Sequence, residues 1–379
     1  MLASLRYSQS ETVSHSWGKS KPTVPSRIMP DITADATDIR ISERLLVAYN
    51  KSIKDGHVLE SKDIWTNIRE RQPTFFRALQ SNDPLLLASY LCNMSRQDAT
   101  MGTTQGYQEY TNIKFNPLRR GLVALITKDK LVSLAEAVGA MPCENPEQGS
   151  WGKNIHTPID KIVTLIEQKI NLDITPPDIE GGLFKICGKS INLHDRDLHS
   201  IYTAWYIGTL LKEEDGAVCE IGAGTGRVAY WYWRMALGSY SIIDLPHINV
   251  IQGFYLLKAL PDAAIRLYGE SKDPGNDKNE IRILPDHAIN KLKRQEFNLI
   301  LNQDSFPEIH SEAVRDYLVS IRELSSKYFL SINHESSPKS NGFVQNNVQE
   351  LIDEVGGYTP VYRMPYWMRR GYVIELYKV

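Results

Sequence analysis

The sequence predicts an α/β protein: a doubly wound, mostly parallel sheet, preceded by a mainly helical region. Three observations carry that expectation. Over the C-terminal half, short apolar runs at 217–221, 240–243, 281–284, 297–301 and 328–332 alternate with helical stripes, a pattern that implies parallel strands with helices on both faces. The first run leads through Gly222, Gly224 and Gly226 into Val228, Trp231, Tyr232 and Met235, whose i, i+3, i+4, i+7 spacing reads as strand, tight turn and helix. Residues 38–140 carry helical apolar groups and no strand-like alternation.

Taken in order, residues 1–30 are rich in Ser, Pro, Thr and Lys without a periodic apolar face and are expected to be a flexible arm. Residues 31–194 form the helical region, with apolar groups at Ile41, Leu45 and Leu46, at Phe75, Phe76 and Leu79, and at Leu122, Leu131 and Leu134. A loop over 141–158 is punctuated by Pro and Gly, 159–170 returns to helix, and Pro176-Pro177 breaks it. Two apolar runs about Gly188-Lys189 predict a hairpin over 183–193. Leu198, Ile201, Tyr202 and Trp205 then open the sheet domain, 195–379.

Within that domain Gly238 is the expected stop of the helix after the glycine turn, and the second strand ends at Asp244. Val250, Phe254 and Leu257 mark the next helix. Both 265–268 and 281–284 read as strands; the latter is preferred as the third strand, because Asp286, His287 and a helical stretch follow it. The fourth strand ends in Asn302-Gln303-Asp304, Val314, Leu318 and Ile321 mark a helix, and the fifth strand ends in Asn333-His334-Glu335. The tail over 362–379 holds the last two strands.

Composition narrows the partners. Of 379 residues, 43 are Lys or Arg and 45 are Asp or Glu, a formal net charge of −2, which argues against nucleic acid as a partner. Cys92, Cys143, Cys187 and Cys219 have no paired metal spacing and read as small buried residues of a reducing compartment. No run approaches a membrane span, and the N-terminus lacks a signal-peptide core. The expectation is a cytoplasmic protein, with a homodimer left open.

In such sheets a ligand lies beyond the carboxyl ends of the strands. Glu220, Asp244, Asp286, Asp304 and His334-Glu335 all fall at such ends, which one shared site explains better than unrelated strand-ending polar residues. The glycine turn lets a ligand lie against bare peptide. A dinucleotide fingerprint needs a sixth-position glycine, and Arg227 stands there instead. Asp244 lies eighteen positions after Gly226, where a carboxylate reaches a ribose and can accept from both hydroxyls.

The acid-x-Gly-x-Gly-x-Gly run beginning at Glu220 resembles motif I of S-adenosylmethionine-dependent methyltransferases. Further segments resemble the bacterial sugar O-methyltransferase family: Glu-Asn-Pro-Glu-Gln-Gly-Ser-Trp-Gly at 144–152, Ile-Ile-Asp-Leu-Pro at 242–246, Asn-Gln-Asp-Ser-Phe-Pro-Glu at 302–308, Ser-Ile-Asn-His-Glu at 331–335 and Tyr-Trp-Met-Arg-Arg-Gly-Tyr at 366–372. The match runs from about residue 140 to the end. The resemblance implies a class I methyltransferase fold, S-adenosylmethionine as cofactor and a sugar-like hydroxyl as acceptor. With that cofactor, the expected binding residues are Glu220, Gly222, Gly224, Gly226, Asp244, Leu245, Asp286, His287 and Gln303, with Asp286 and His287 near the adenine.

Methyl transfer from a sulfonium is an in-line displacement, so alignment supplies much of the catalysis. An alcohol does not ionise near neutral pH, so a base or a metal must take its proton. Asp304, Glu308, His310, His334 and Glu335 are the available groups. Histidine is the most common general base, favouring His310 or His334. Glu308 reads equally well as a carboxylate facing a helix dipole. Asp304 and Glu335 with water could hold Mg²⁺ through oxygen ligands. For the acceptor, Arg369 and Arg370 offer guanidinium clamps, Tyr366 and Trp367 offer ring faces, and Trp151 is expected to approach the pocket from the 141–158 loop. A methyltransferase of nucleic-acid base amines would carry two prolines and an aromatic after Asn302; Gln303-Asp304-Ser305 stand there. N-methylation of an amino sugar, or a non-catalytic scaffold role, remain the rivals.

Overall fold

The structure is a computed structural model that describes residues 22–56, 72–97, 113–145, 147–149, 152–212, 216–270, 279–337, 339–340 and 343–379. A first strand, β1 (Ser26–Ile28), precedes four helices, α1 (Ala36–Lys54), α2 (Pro73–Ser81), α3 (Pro84–Cys92) and α4 (Pro117–Ala137). After α5 (Ile159–Ile170), strands β2 (Phe184–Cys187) and β3 (Asn192–Leu193) form the predicted hairpin, which joins β1 in a three-stranded antiparallel sheet. Residues 26–28 are therefore not part of a flexible arm. Met29 N–H donates to Leu183 O at 2.8 Å, the Arg120 guanidinium holds the Ser26 carbonyl, and Ile28 packs on the core.

Helix α6 (Asp195–Leu210) follows. The chain continues with β4 (Val218–Ile221), α7 (Arg227–Arg234), β5 (Tyr240–Asp244), α8 (Pro246–Ala259), β6 (Ile265–Leu267), β7 (Ile281–Pro285) and β8 (Phe297–Gln303). Helix α9 (Ser311–Leu324), β9 (Ser325–His334), a small ribbon of β10 (Lys339–Ser340) and β11 (Phe343–Val344), α10 (Val348–Val355), β12 (Thr359–Pro365) and β13 (Tyr372–Lys378) complete the chain. The large sheet runs β6-β7-β5-β4-β8-β9-β13-β12. The strands from β6 to β9 are parallel, and β13 lies antiparallel between β9 and β12. This is a class I, Rossmann-like α/β fold: the doubly wound order centred on β4, closed at one edge by an antiparallel pair.

The central strands are near-continuous apolar runs because helices cover both faces. One apolar core unites a face of the sheet with the N-terminal helices, bringing Leu45, Leu79, Leu131, Ile201, Trp231 and Ile242 together. The other face packs Cys219, Ile300 and Phe329 against Val314, Leu318 and Leu351 of α9 and α10. Both stretches are strands, and the preferred one, β7, lies beside β5, with β6 as an edge strand beyond it. The helical stretch expected after β7 is a 3₁₀ segment, Asp286–Lys291. Helix α7 stops at Arg234, before Gly238, with Ala236 taking the left-handed turn at φ 53°. Among the described residues no helix is long and apolar enough to cross a membrane.

A buried ion cluster ties the regions together at the start of α7. Arg227 donates to Asp197 of α6 at 2.6 Å, contacts Glu180 of the segment before β2, and lies over the Tyr255 ring. Removing one partner would leave uncompensated buried charge, at a cost of about 3–5 kcal/mol.

Candidate active site

The turn after β4 is built from backbone. Gly222, Gly224 and Gly226 have φ of 77°, 56° and 81°, conformations that only glycine takes readily. Gly222 N–H donates to Ile243 O at 3.0 Å, and a Cβ there would stand 2.2 Å from Ser305 Oγ. Asp244, at the end of β5, receives Leu245 N–H at 2.8 Å on one oxygen, and Ala223 N–H at 3.0 Å and Gln252 Nε2 at 2.7 Å on the other. Burial pushes its carboxyl up to about 7 against those three donors. Asp286 and His287 begin the segment after β7, whose Pro285 pairs with Asp244. Glu220 is placed differently from the expectation. It lies beneath the loop at 2% exposure, accepts from Tyr240 OH at 2.8 Å, and is raised by burial to about 8.

A second set of groups gathers beyond β8 and β9. Asn302, fully buried, donates to Ile221 O at 2.9 Å and Ser305 Oγ at 2.6 Å, while its carbonyl accepts from Asn333 Nδ2 at 3.0 Å. It thereby clamps the end of β8 to the glycine turn on one side and to β9 on the other. Asp304 follows at φ 62°, its N–H donating to Ile332 O and to Asn333 Oδ1, both at 3.0 Å. A non-glycine residue in this region is a mark of local strain of the kind that clusters at functional sites. Its carboxylate receives Arg369 and Tyr372 OH directly and has Arg196 at 3.7 Å. Gln303 accepts from Thr203 Oγ1 at 3.0 Å and donates to Tyr366 OH at 3.3 Å, linking the strand end to α6.

Two titratable groups adjoin Asp304. His334, whose ring meets Tyr372 edge-on at 5.4 Å, is held below the ordinary histidine value by burial, which outweighs the nearby Asp304. Glu308 is pushed up to about 7 by burial and then by the Asp304 charge, with Arg369 and Arg196 opposing. On the other side, Lys130 of α4 pairs with Asp195 at 2.5 Å, and His199 Nε2 stands 3.7 Å from the same carboxylate. Burial, Lys130 and the arginines drive His199 well below its ordinary value. Burial opposes ionisation of Asp195, yet Lys130 holds that carboxyl well below the usual range.

Other expected residues are not brought to this cluster. His310 is the N-cap of α9, its Nδ1 accepting from Glu312 N–H at 3.4 Å, with a side chain 41% exposed. Glu335 turns away to Arg363 at 2.6 Å on the half-exposed outer edge. Asp304 and Glu335 are thus each held by arginine and do not face one another, so they do not fit an oxygen-ligand site for Mg²⁺. Among the described residues no group of three or more His, Cys, Asp or Glu side chains is gathered to hold a metal. Tyr366 is buried, Trp367 packs partly on the core, and Arg370 is partly exposed beside Arg369. Trp151 lies outside the described residues.

Lys130, Asp195, Arg196, His199 and Thr203 were not singled out in the sequence. The available signal was charge within apolar periodicity: Lys128-Asp129-Lys130 beside Leu131, and Asp195-Arg196-Asp197 with His199 around Leu198 and Ile201.

No family model matches the chain, and no curated protein matches it. Among solved structures it is similar to 1,6-didemethyltoxoflavin-N1-methyltransferase from Burkholderia thailandensis, at 14% identity over 47% of this chain and 77% of that one, with a TM-score of 0.33. It is also similar to magnesium protoporphyrin IX methyltransferase from Synechocystis, at 11% identity over 48% of this chain and 81% of that one, TM-score 0.33. A SAM-dependent methyltransferase from Aquifex aeolicus is a further likeness, at 16% identity over 45% of this chain and 87% of that one, TM-score 0.30.

Proposed function

We propose that the chain is an S-adenosylmethionine-dependent methyltransferase that methylates a hydroxyl of a small, sugar-like molecule. The observation that carries this reading is the left-handed glycine turn packed against Ser305, with Asp244 at the next strand end. The residues fit the cofactor. A ligand can approach the backbone at Gly222, Gly224 and Gly226, and Asp244 has no cationic partner among its hydrogen bonds, leaving acceptor capacity on Oδ1 for a ribose hydroxyl. Leu245, Asp286, His287 and Gln303 would border it along the same strand ends. When bound, this cofactor supplies an electrophilic methyl group on a sulfonium.

The chain's own residues would do the rest. Arg369 and Tyr372 fix Asp304, and Asn302 holds the strand end carrying it close to the glycine turn. His334, neutral at pH 7, would take the acceptor proton on a ring nitrogen; Glu308, poised near neutrality, is the second candidate. Tyr366, Trp367, Arg369 and Arg370 would border the acceptor. An amine acceptor would need less help from a base, so the presence of these groups favours an alcohol.

Incubation with methyl-labelled cofactor and a panel of sugars, amino sugars and nucleotide sugars tests the reading. Label is expected in a sugar ether. Label appearing only on amino sugars would replace O-methylation by N-methylation, and cofactor binding without transfer to any acceptor would favour the scaffold role.

A further inference from the structure

We infer that the acceptor carries an oxyanion, a carboxylate or a phosphate, seated among Lys130, Arg196 and Arg369; the inference rests on the methyl-transfer reading above. Three cations from three separate segments meet at this end of the sheet. Lys130 comes from α4 in the N-terminal region, Arg196 from the first turn of α6, and Arg369 from the turn between β12 and β13. Arg196 and Arg369 share Asp304, and Asp195, the residue before Arg196, pairs with Lys130; burial lowers the Lys130 ammonium against Asp195, and both arginines add to the lowering.

Among the described residues the directly paired charge is unequal. Asp195 faces Lys130 at 2.5 Å, and Asp304 receives Arg369 with Arg196 at 3.7 Å. Among the described residues, two carboxylates therefore pair directly with these three cations. The third acid, Glu308, is pushed up to about 7 and supplies only a partial charge at neutral pH. His199 and His334 are both held below their ordinary value and add no charge of their own. Surplus positive charge in partly buried surroundings is costly, and a ligand anion relieves it. His199 gives a second, independent sign. Its side chain is 4% exposed, and its Nε2 has no hydrogen-bond partner although it stands beside the Lys130–Asp195 pair.

The chemistry of the cations selects an oxyanion. Guanidinium groups present a planar fork that matches carboxylate and phosphate oxygens, and Lys adds a point charge. Tyr372, beneath the Arg369 guanidinium at 4.1 Å, adds a ring face beside it. A sugar acid and a sugar phosphate satisfy the same arrangement. Neither requires the extended basic surface that a nucleic acid would need.

Calorimetry decides the matter. The protein is first titrated with S-adenosylhomocysteine, then the loaded protein with glucuronate, glucose 1-phosphate and methyl glucoside as carboxylate, phosphate and neutral probes. At least one oxyanion probe is expected to bind about tenfold or more tightly than methyl glucoside. Arg196→Gln is expected to weaken that binding by about ten- to a hundredfold, the range for a lost charge-assisted hydrogen bond, and Lys130→Met to do the same. Retained S-adenosylhomocysteine affinity shows that each variant is folded, and Arg196, on the more exposed side of the cluster, covers the case in which Lys130→Met is not. Equal binding of all three probes, binding of none, or indifference to Arg196→Gln would overturn the inference while leaving the methyl-transfer reading in place. Failure of the wild type to bind S-adenosylhomocysteine would remove both. Preference between glucuronate and glucose 1-phosphate identifies which oxyanion the site takes.

Discussion

On the proposed reading, the cofactor side and the acceptor side of the strand-end site are made from different materials. Between Glu220 and Asp244 the chain supplies a strand, a turn of left-handed glycines, a helix and a carboxylate at the next strand end. That side is mostly backbone, and the carboxylate of Asp244 accepts from neighbouring amides. The acceptor side is made of side chains. Lys130, Asp195, Arg196, His199, Asp304, His334 and Arg369 reach it from α4, α6, the ends of β8 and β9 and the β12–β13 turn. A backbone cradle tolerates variation of the side chains around it. A charge cluster assembled from distant segments changes with each substitution.

The largest effect that would sharpen this contrast concerns proton removal. His334→Ala is expected to lower kcat by about 10²–10⁴ with cofactor affinity near wild type. A base works only when deprotonated, so kcat/KM should fall as pH drops through its pKa. That midpoint should lie below 6.5 if His334 is the base and near 7 if Glu308 is. Glu308→Gln then gives the loss in place of His334→Ala. Indifference to both substitutions would remove the cluster from catalysis.

A smaller effect belongs to the cofactor side. Asp244→Ala should cost roughly 1.5–3 kcal/mol of cofactor binding, about a ten- to hundredfold loss, read by titration, while the acceptor KM stays unchanged. An acceptor KM that moved with it would mean the two sides are not separable. The smallest effect is at His310. As the cap of α9, His310→Ala should cost no more than about 1 kcal/mol of stability and leave kcat unchanged; a kcat loss of tenfold or more would return it to the site.

The same contrast explains what could be read from sequence. The alternation of strands and helices, the strand ends at Asp244, Asp304 and His334, and the glycine turn were all legible, because local periodicity and turn chemistry fix them. His310 and Glu335 were legible only as chemistry near a strand end. Their directions depend on a helix cap and on Arg363 across the sheet. Lys130 could not be placed at all, since its role depends on α4 packing beside α6 and no short-range pattern encodes that pairing. Glu220 shows the converse: the motif was legible, but Tyr240 draws its carboxyl into the core. Residues 26–28 lacked the periodicity of a longer strand, and their partner β2 lies more than a hundred residues away.

The central claim is that the turn at Gly222 cradles S-adenosylmethionine, and titration of wild type and Gly222→Val with S-adenosylmethionine and with NAD tests it most directly. A valine there would force a side chain into a left-handed backbone at φ 77° and against Ser305 Oγ, 2.2 Å from its Cβ. The account predicts that wild type binds S-adenosylmethionine and not NAD, and that the variant remains folded by circular dichroism but loses this binding. Tight NAD binding without S-adenosylmethionine, or unchanged S-adenosylmethionine affinity in the folded variant, would contradict it.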